Sequence, residues 1–281
     1  CGYLPHLCEE DDSFPACLNG RFHGLLFDCA RGTAMLFNDR YGMRRLYYHS
    51  GKDAFYFAAE AKAILAARPD LRALDTRGLG ELVTCGCVME HRTLFPGIQV
   101  LPPASAWTFE NSVLTSHSTY FDPQEWEQQQ PLERQAFEDE IRRVFSQNLP
   151  RYFNGRQPVA MSLTGGLDTR TIMAWHKAPP GSLPCYTFGG MFGECRDVRV
   201  AREVAHVCRQ PHSVITVGKD FLARFADYAE RTVYLTDGCA DVCRSPDLFV
   251  NEQARAIAPV RATGNYGGEV LRRVRPSKTQ I

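Results

Sequence analysis

The chain has 281 residues, room for about two domains, and 44% of them are hydrophobic, as in a globular protein. Its 32 basic residues are balanced by 32 acidic ones, so it lacks the positive excess of a nucleic-acid binder. No run approaches the roughly 18 apolar residues of a membrane span, and Glu9, Glu10, Asp11 and Asp12 stand where a signal peptide is apolar.

These features predict a soluble, cytoplasmic enzyme that engages neither nucleic acid nor membrane. The eleven cysteines are scattered. Neither Cys85 with Cys87 nor Cys239 with Cys243 has a second pair at zinc-like spacing, so reduced thiols are expected.

In chain order, strand signals come first. Arg21 to Asp28 and Thr33 to Asn38 flank a polar turn with Gly32, and Arg45 to His49 and Ala54 to Ala58 flank Ser50-Gly51-Lys52-Asp53, which predicts two antiparallel hairpins. The cluster Arg40, Arg44 and Arg45 reads as an interface. Prolines and Gly97 punctuate the stretch from Leu94 to Pro123, and polar residues follow to Gln130, so a domain boundary is expected at about Asp122. Pro131 opens a helix with Phe137, Ile141, Val144 and Phe145 at helical spacing. From Val159 onward strand and helix patterns alternate: strands over Val159 to Ser162, Pro184 to Gly189 and Ser213 to Val217, and helices over Thr171 to His176, Asp197 to Cys208 and Phe221 to Tyr228. That alternation predicts a parallel α/β sheet.

The turn after the first of these strands carries the chemistry. Thr164-Gly165-Gly166 is followed by Leu167-Asp168-Thr169. Paired glycines let backbone amides approach an anion, the Thr164 and Thr169 hydroxyls can donate, and the following helix brings a positive N-terminus. There is no Gly-Lys-Ser/Thr of a Walker loop and no third glycine at dinucleotide spacing. Asp168 would repel a phosphate unless a divalent cation lay between them, which points to Mg-ATP or a similar nucleotide, with Asp168 on the metal. The plainer alternative is a strand-to-helix turn with Asp168 as helix cap. Ser162, Phe188 and Thr263-Gly264 stand at or near strand ends, where open α/β sheets bind ligands, and can surround an adenosine. Ser162 and Phe188 read equally as core residues.

Ser162-Leu163-Thr164-Gly165-Gly166-Leu167-Asp168-Thr169 resembles the Ser-Gly-Gly-x-Asp-Ser pyrophosphate loop of ATP pyrophosphatases, and its neighbourhood resembles the synthetase domain of glutamine-hydrolysing asparagine synthetases. The blocks Leu18-Asn19-Gly20-Arg21-Phe22, Asn38-Asp39-Arg40-Tyr41-Gly42 and Phe57-Ala58-Ala59-Glu60-Ala61-Lys62 resemble the same family in the same order. The resemblance runs from Leu18 to Arg272. It implies ATP contacts at Ser162, Thr164, Gly165, Gly166, Asp168, Thr169, Phe188, Thr263 and Gly264, and a glutamine contact at Asn19, which reads equally as a hairpin cap. It also sets Asp241 and Arg244 on the family's acidic and arginine positions near the acyl acceptor and phosphates, where a surface ion pair is the alternative.

Two departures stand out. Thr263-Gly264-Asn265-Tyr266-Gly267-Gly268-Glu269 lines up with Ser-Gly-x-Gly-x-Asp-Glu, but Gly268 replaces the aspartate that shares Mg with the residue matched by Asp168. Glu269 is the nearest replacement, and is read as catalytic together with Arg244 and Asp241. The start, Cys1-Gly2, has the form of a class II amidotransferase nucleophile, but only sixteen residues separate Gly2 from Asn19. The expectation is therefore a fragment, beginning late in a glutaminase domain and ending before the family's phosphate-contacting lysine.

The predicted fold is α/β plus α+β, with part of an antiparallel Ntn-type glutaminase domain over 1–122 and a parallel α/β, HUP-like ATP-pyrophosphatase domain over 123–281. The implied reaction is asparagine synthesis: ATP activates a carboxylate, aspartate in the family, as an acyl-adenylate, and ammonia from glutamine attacks it. Another amide ligase on the same scaffold, or an ATP-binding protein that has lost catalysis, are the alternatives, and a homo-oligomer is left open.

Overall fold

The structure, a computed structural model, describes residues 3–265. They fall into two compact units, 3–130 with 233–241, and 131–232 with 242–265. The first unit thus continues past Asp122, and a short later segment groups with it.

In the first unit, α1 (Tyr3–Glu10) precedes the hairpin β1 (His23–Asp28) and β2 (Thr33–Asn38), and a second hairpin joins β3 (Tyr47–Ser50) to β4 (Phe55–Ala58). Helices α2 (Ala61–Ala67) and α3 (Thr76–Cys85) follow, then β5 (Gln99–Val100), β6 (Ser105–Glu110), β7 (Val113–Thr119) and the short α4 (Gln124–Glu127). Both sheets are antiparallel, in the orders β1-β2-β6-β7 and β4-β3-β5. Leu36, Leu46, Leu101, Trp107 and Phe109 form one buried cluster, and Tyr47, Ile64 and Ile98 anchor another.

Asn38 and Asp39 are buried, and backbone partners satisfy them. Asn38 donates to the Pro102 carbonyl at 2.8 Å and accepts from Ser105 N–H at 2.8 Å. Asp39 accepts from the backbone N–H of Phe22, Tyr41, Met43 and Arg44 at 2.9–3.2 Å. A buried carboxylate is tolerable only when its lone pairs are used in this way. The Asn-Asp-Arg-Tyr-Gly block therefore acts as a turn-former, and Gly42 within it takes φ 59°.

In the second unit, α5 (Arg134–Asn148) leads to β8 (Val159–Ser162), α6 (Leu167–His176), β9 (Cys185–Gly190), α7 (Arg196–Val207) and β10 (His212–Val217). Then come α8 (Lys219–Ala223), α9 (Phe225–Leu235), α10 (Ser245–Ile257) and β11 (Val260–Ala262). The sheet is parallel, in the order β10-β9-β8-β11. Ala160, Met161 and Ser162, like Cys185, Tyr186 and Thr187, are buried in succession, as a strand covered on both faces requires. Ala160 and Tyr186 pack with Tyr228 of α9 and Phe249 of α10, while Met161 and Cys185 pack with Met173 of α6 and Ala201 and Ala205 of α7. Helices thus cover both faces.

One expected element differs. The helix read over Phe221 to Tyr228 is two helices, because Arg224 leaves helical geometry at φ −113°, ψ 15° and its N–H turns to the Phe221 carbonyl.

Candidate functional site

Within the second unit, β8 carries the glycine turn. The strand is the third in the order β10-β9-β8-β11, so the chain builds two strands on one side of it before returning to place β11 on the other. Order reversal of this kind opens a crevice at the carboxyl ends of the strands, between the loops leaving β8 and β11. The β8 loop is Leu163 to Gly166, and the β11 loop begins at Thr263.

The β11 loop packs against the start of α6. A Cβ on Gly264 would lie 2.8 Å from Asp168 Cβ and 2.9 Å from Thr169 N. Only glycine fits against the start of α6 there. Inside the β8 loop, Thr169 Oγ1 donates to the Thr164 carbonyl at 3.1 Å, and Gly166 N–H donates to Thr164 Oγ1 at 3.2 Å. Gly165 N–H donates to Asp197 Oδ1, in the first turn of α7, at 3.1 Å. A Cβ on Gly165 would stand 2.7 Å from that oxygen.

The helix cap corrects one alternative. Gly166, extended at φ −68° and ψ 152°, is the cap of α6, and Asp168 sits in the first helical turn. Asp168 is therefore not the cap, because the glycine already makes the strand-to-helix bend.

A cavity of about 590 Å3 opens between the loops. Ser162, Thr164, Asp168 and Thr169 line it from the β8 side, Phe188 from β9, and Thr263 and Gly264 from β11. Arg244 lines it too, and pairs with Asp247 at 3.6 Å. Gly165 and Gly166 shape the loop without lining the cavity. Ser162 is buried, whereas Phe188 is 39% exposed, so only the serine fits the core alternative. Asp241 groups with the first unit, as does Asn19, an exposed residue ahead of β1. Glu269 and Gly268 lie outside the described residues.

Four lining residues were not singled out from the sequence: Asp247, Asn251, Arg261 and Asn265. Arg261 donates to Asn251 Oδ1 at 2.9 Å and to Ser162 Oγ at 3.2 Å. Asp247 and Asn251 lie one turn apart on α10, a spacing visible in sequence. Arg261 is brought in by the pairing of β11 with β8, where it stands opposite Ala160. The cavity thus joins oxygen donors and two carboxylates, Asp168 and Asp247, to two guanidinium groups. Hydroxyl and carboxylate oxygens are the ligands a hard divalent cation accepts, and guanidinium groups suit phosphate or carboxylate.

Residues 6–121 match the glutamine amidotransferase domain family. Glutamine-hydrolyzing asparagine synthetase 3 of Bacillus subtilis (strain 168) is 31% identical over 179 residues, 61% of this chain and 28% of that protein. Glutamine-hydrolyzing asparagine synthetase 1 of the same organism is 24% identical over 255 residues, 90% of this chain and 39% of that protein. The chain is thus similar to glutamine-hydrolyzing asparagine synthetases along much of its length. It spans well under half the length of these curated relatives. Among solved structures, a glutamine-dependent NAD+ synthetase from Acinetobacter baumannii in complex with ADP is similar at 11% identity and TM-score 0.34, over 89% of this chain and 61% of that one. No helix among the described residues is long and apolar enough to cross a membrane.

Proposed function

We propose that the cavity between the β8 and β11 loops binds Mg-ATP, and that the protein takes part in ATP-dependent amidation of a carboxylate with ammonia drawn from glutamine. The observation that carries this reading is convergence. Seven residues expected at an ATP site from motif and family resemblance line one cavity at the order reversal of a parallel sheet.

On this reading the first unit belongs to an Ntn-type glutaminase domain with Asn19 toward glutamine, and the second is an ATP-pyrophosphatase-type, HUP-like domain. Loop amides and the α6 N-terminus receive the phosphates. To do so, Gly165 N–H must exchange its bond to Asp197 for one to a phosphate oxygen. Asp168 would hold Mg, with Asp247 as a second carboxylate on the same cavity, and the cation would neutralise charge on departing pyrophosphate. Arg244 can take a carboxylate or phosphate bidentately, and Phe188 offers a ring face to the base. Asp241 and Glu269 belong to the same proposed chemistry, and aspartate is the carboxylate that the family suggests.

Gly268, standing where the family has a metal-binding aspartate, favours a second reading in which nucleotide binding persists without catalysis. Pyrophosphate release by the full-length protein, measured with ATP and a panel of carboxylates, separates the two. Release that depends on one carboxylate supports the ligase. ATP binding without release on any of them, with activity gained on Gly268→Asp, supports the binder and overturns the amidation.

A further inference from the structure

A second cavity, of about 380 Å3, lies in the second unit on the α10 face of the sheet. Ala160 of β8, Tyr186 of β9, Val260 of β11 and Leu248 and Ala254 of α10 form its apolar walls. Tyr186 is fully buried, yet its hydroxyl has no hydrogen-bond partner. Leaving a buried hydroxyl unpaired costs about 1–3 kcal/mol, so interiors rarely tolerate it. The orphan can both donate and accept.

The rim is polar and carries a positive excess, with Arg231, Arg255 and Arg261 against Glu252. Two of these arginines are engaged. Arg231 reaches Glu252 at 3.3 Å, and Arg261 is held by Asn251 and Ser162. Arg255 forms no ion pair with any described residue, and is the rim guanidinium left to meet a ligand.

We propose that this cavity is a binding site for a small organic carboxylate whose apolar body carries one hydrogen-bonding group. The carboxylate meets Arg255, whose planar fork donates two parallel bonds to it. The body covers Ala160, Leu248 and Val260, and its polar group pairs with the Tyr186 hydroxyl. The volume falls at the low end of small-molecule sites, roughly 300–1,000 Å3, and suits about ten non-hydrogen atoms. Asn251 and Arg261 border both cavities, but the proposal does not rest on nucleotide binding by the other.

The test is calorimetric titration of the full chain with 4-hydroxybenzoate and with benzoate, for wild type, Tyr186→Phe and Arg255→Met. Tyr186→Phe keeps the ring and removes only the unpaired hydroxyl, so it should fold as well as wild type. The hydroxylated probe should bind wild type roughly tenfold tighter than benzoate, a gap of the size of one buried hydrogen bond. Tyr186→Phe should erase that gap, and Arg255→Met should weaken both probes by tenfold or more. Absence of binding to wild type, equal affinity for the two probes, or a gap that survives Tyr186→Phe would each overturn the proposal.

Discussion

A single added methyl group separates the glycines around the loop cavity. On Gly264 it would press on Asp168 Cβ at 2.8 Å and on the backbone of Asp168 and Thr169 at 2.9–3.0 Å, and backbone at the start of a helix has nowhere to go. On Gly166 it would meet only the Thr164 hydroxyl at 3.2 Å, which can rotate. Gly264→Ala should therefore cost about 1–3 kcal/mol by urea unfolding, in the range of overpacked sites, and abolish Mg-ATP binding. Gly166→Ala should stay within about 0.5 kcal/mol. Equal effects at the two positions would mean that the β11 loop does not pack against the start of α6 as described. In the first unit, Asp39→Ala should remove about 3 kcal/mol, because four backbone N–H groups lose their acceptor at a buried site. A loss below 1 kcal/mol in the same assay would argue against that role. The reason for Gly165 could be guessed from sequence, since paired glycines after a strand announce close backbone approach. The reason for Gly264 could not, because its neighbour is about a hundred residues earlier in the chain.

At the scale of elements, strands and hairpins were legible from strand-like runs and turn residues, and their ends shifted by a residue or two. The break at Arg224 was not, as neither glycine nor proline marks it. Pairing order was also hidden: a three-residue strand such as β11 carries no label for its partner, so Arg261 could not be assigned to the cavity. One part-buried contact between β9 and β10 makes a titration testable. His212 Nε2 lies 2.8 Å from Thr187 Oγ1, and the Thr187 hydroxyl donates to the Leu163 carbonyl, so the histidine nitrogen must donate. Burial, and secondarily the nearby Arg202 charge, hold the His212 pKa below its usual 6.5. The unfolded chain then takes up a proton first as pH falls, so stability is full above about pH 6.5 and declines toward the folded-state value. Burial moves His176 in the same direction. Replacing the ring with His212→Gln should flatten the loss of urea stability between about pH 7.5 and 5.5. An unchanged slope would show that the histidine is not the group responsible.

For the whole molecule, the division into an antiparallel unit and a parallel one follows the two kinds of pattern in the sequence: strand runs joined by short polar turns early, then strands alternating with helices. The similarity to glutamine-hydrolyzing asparagine synthetases covers most of this chain and a minor part of those relatives. The chemistry proposed for it depends on whether the second unit holds a nucleotide. Its central cavity unites Asp168, the Thr164 and Thr169 hydroxyls and two arginines. The most direct measurement is titration of the full chain with Mg-ATP by calorimetry, for wild type and Asp168→Ala, with Thr187→Ser as a control outside the cavity lining. Saturable binding to wild type and to the control, weakened at least tenfold by Asp168→Ala, is the predicted result. No heat of binding to wild type, or equal affinity with and without the Asp168 carboxylate, would contradict it.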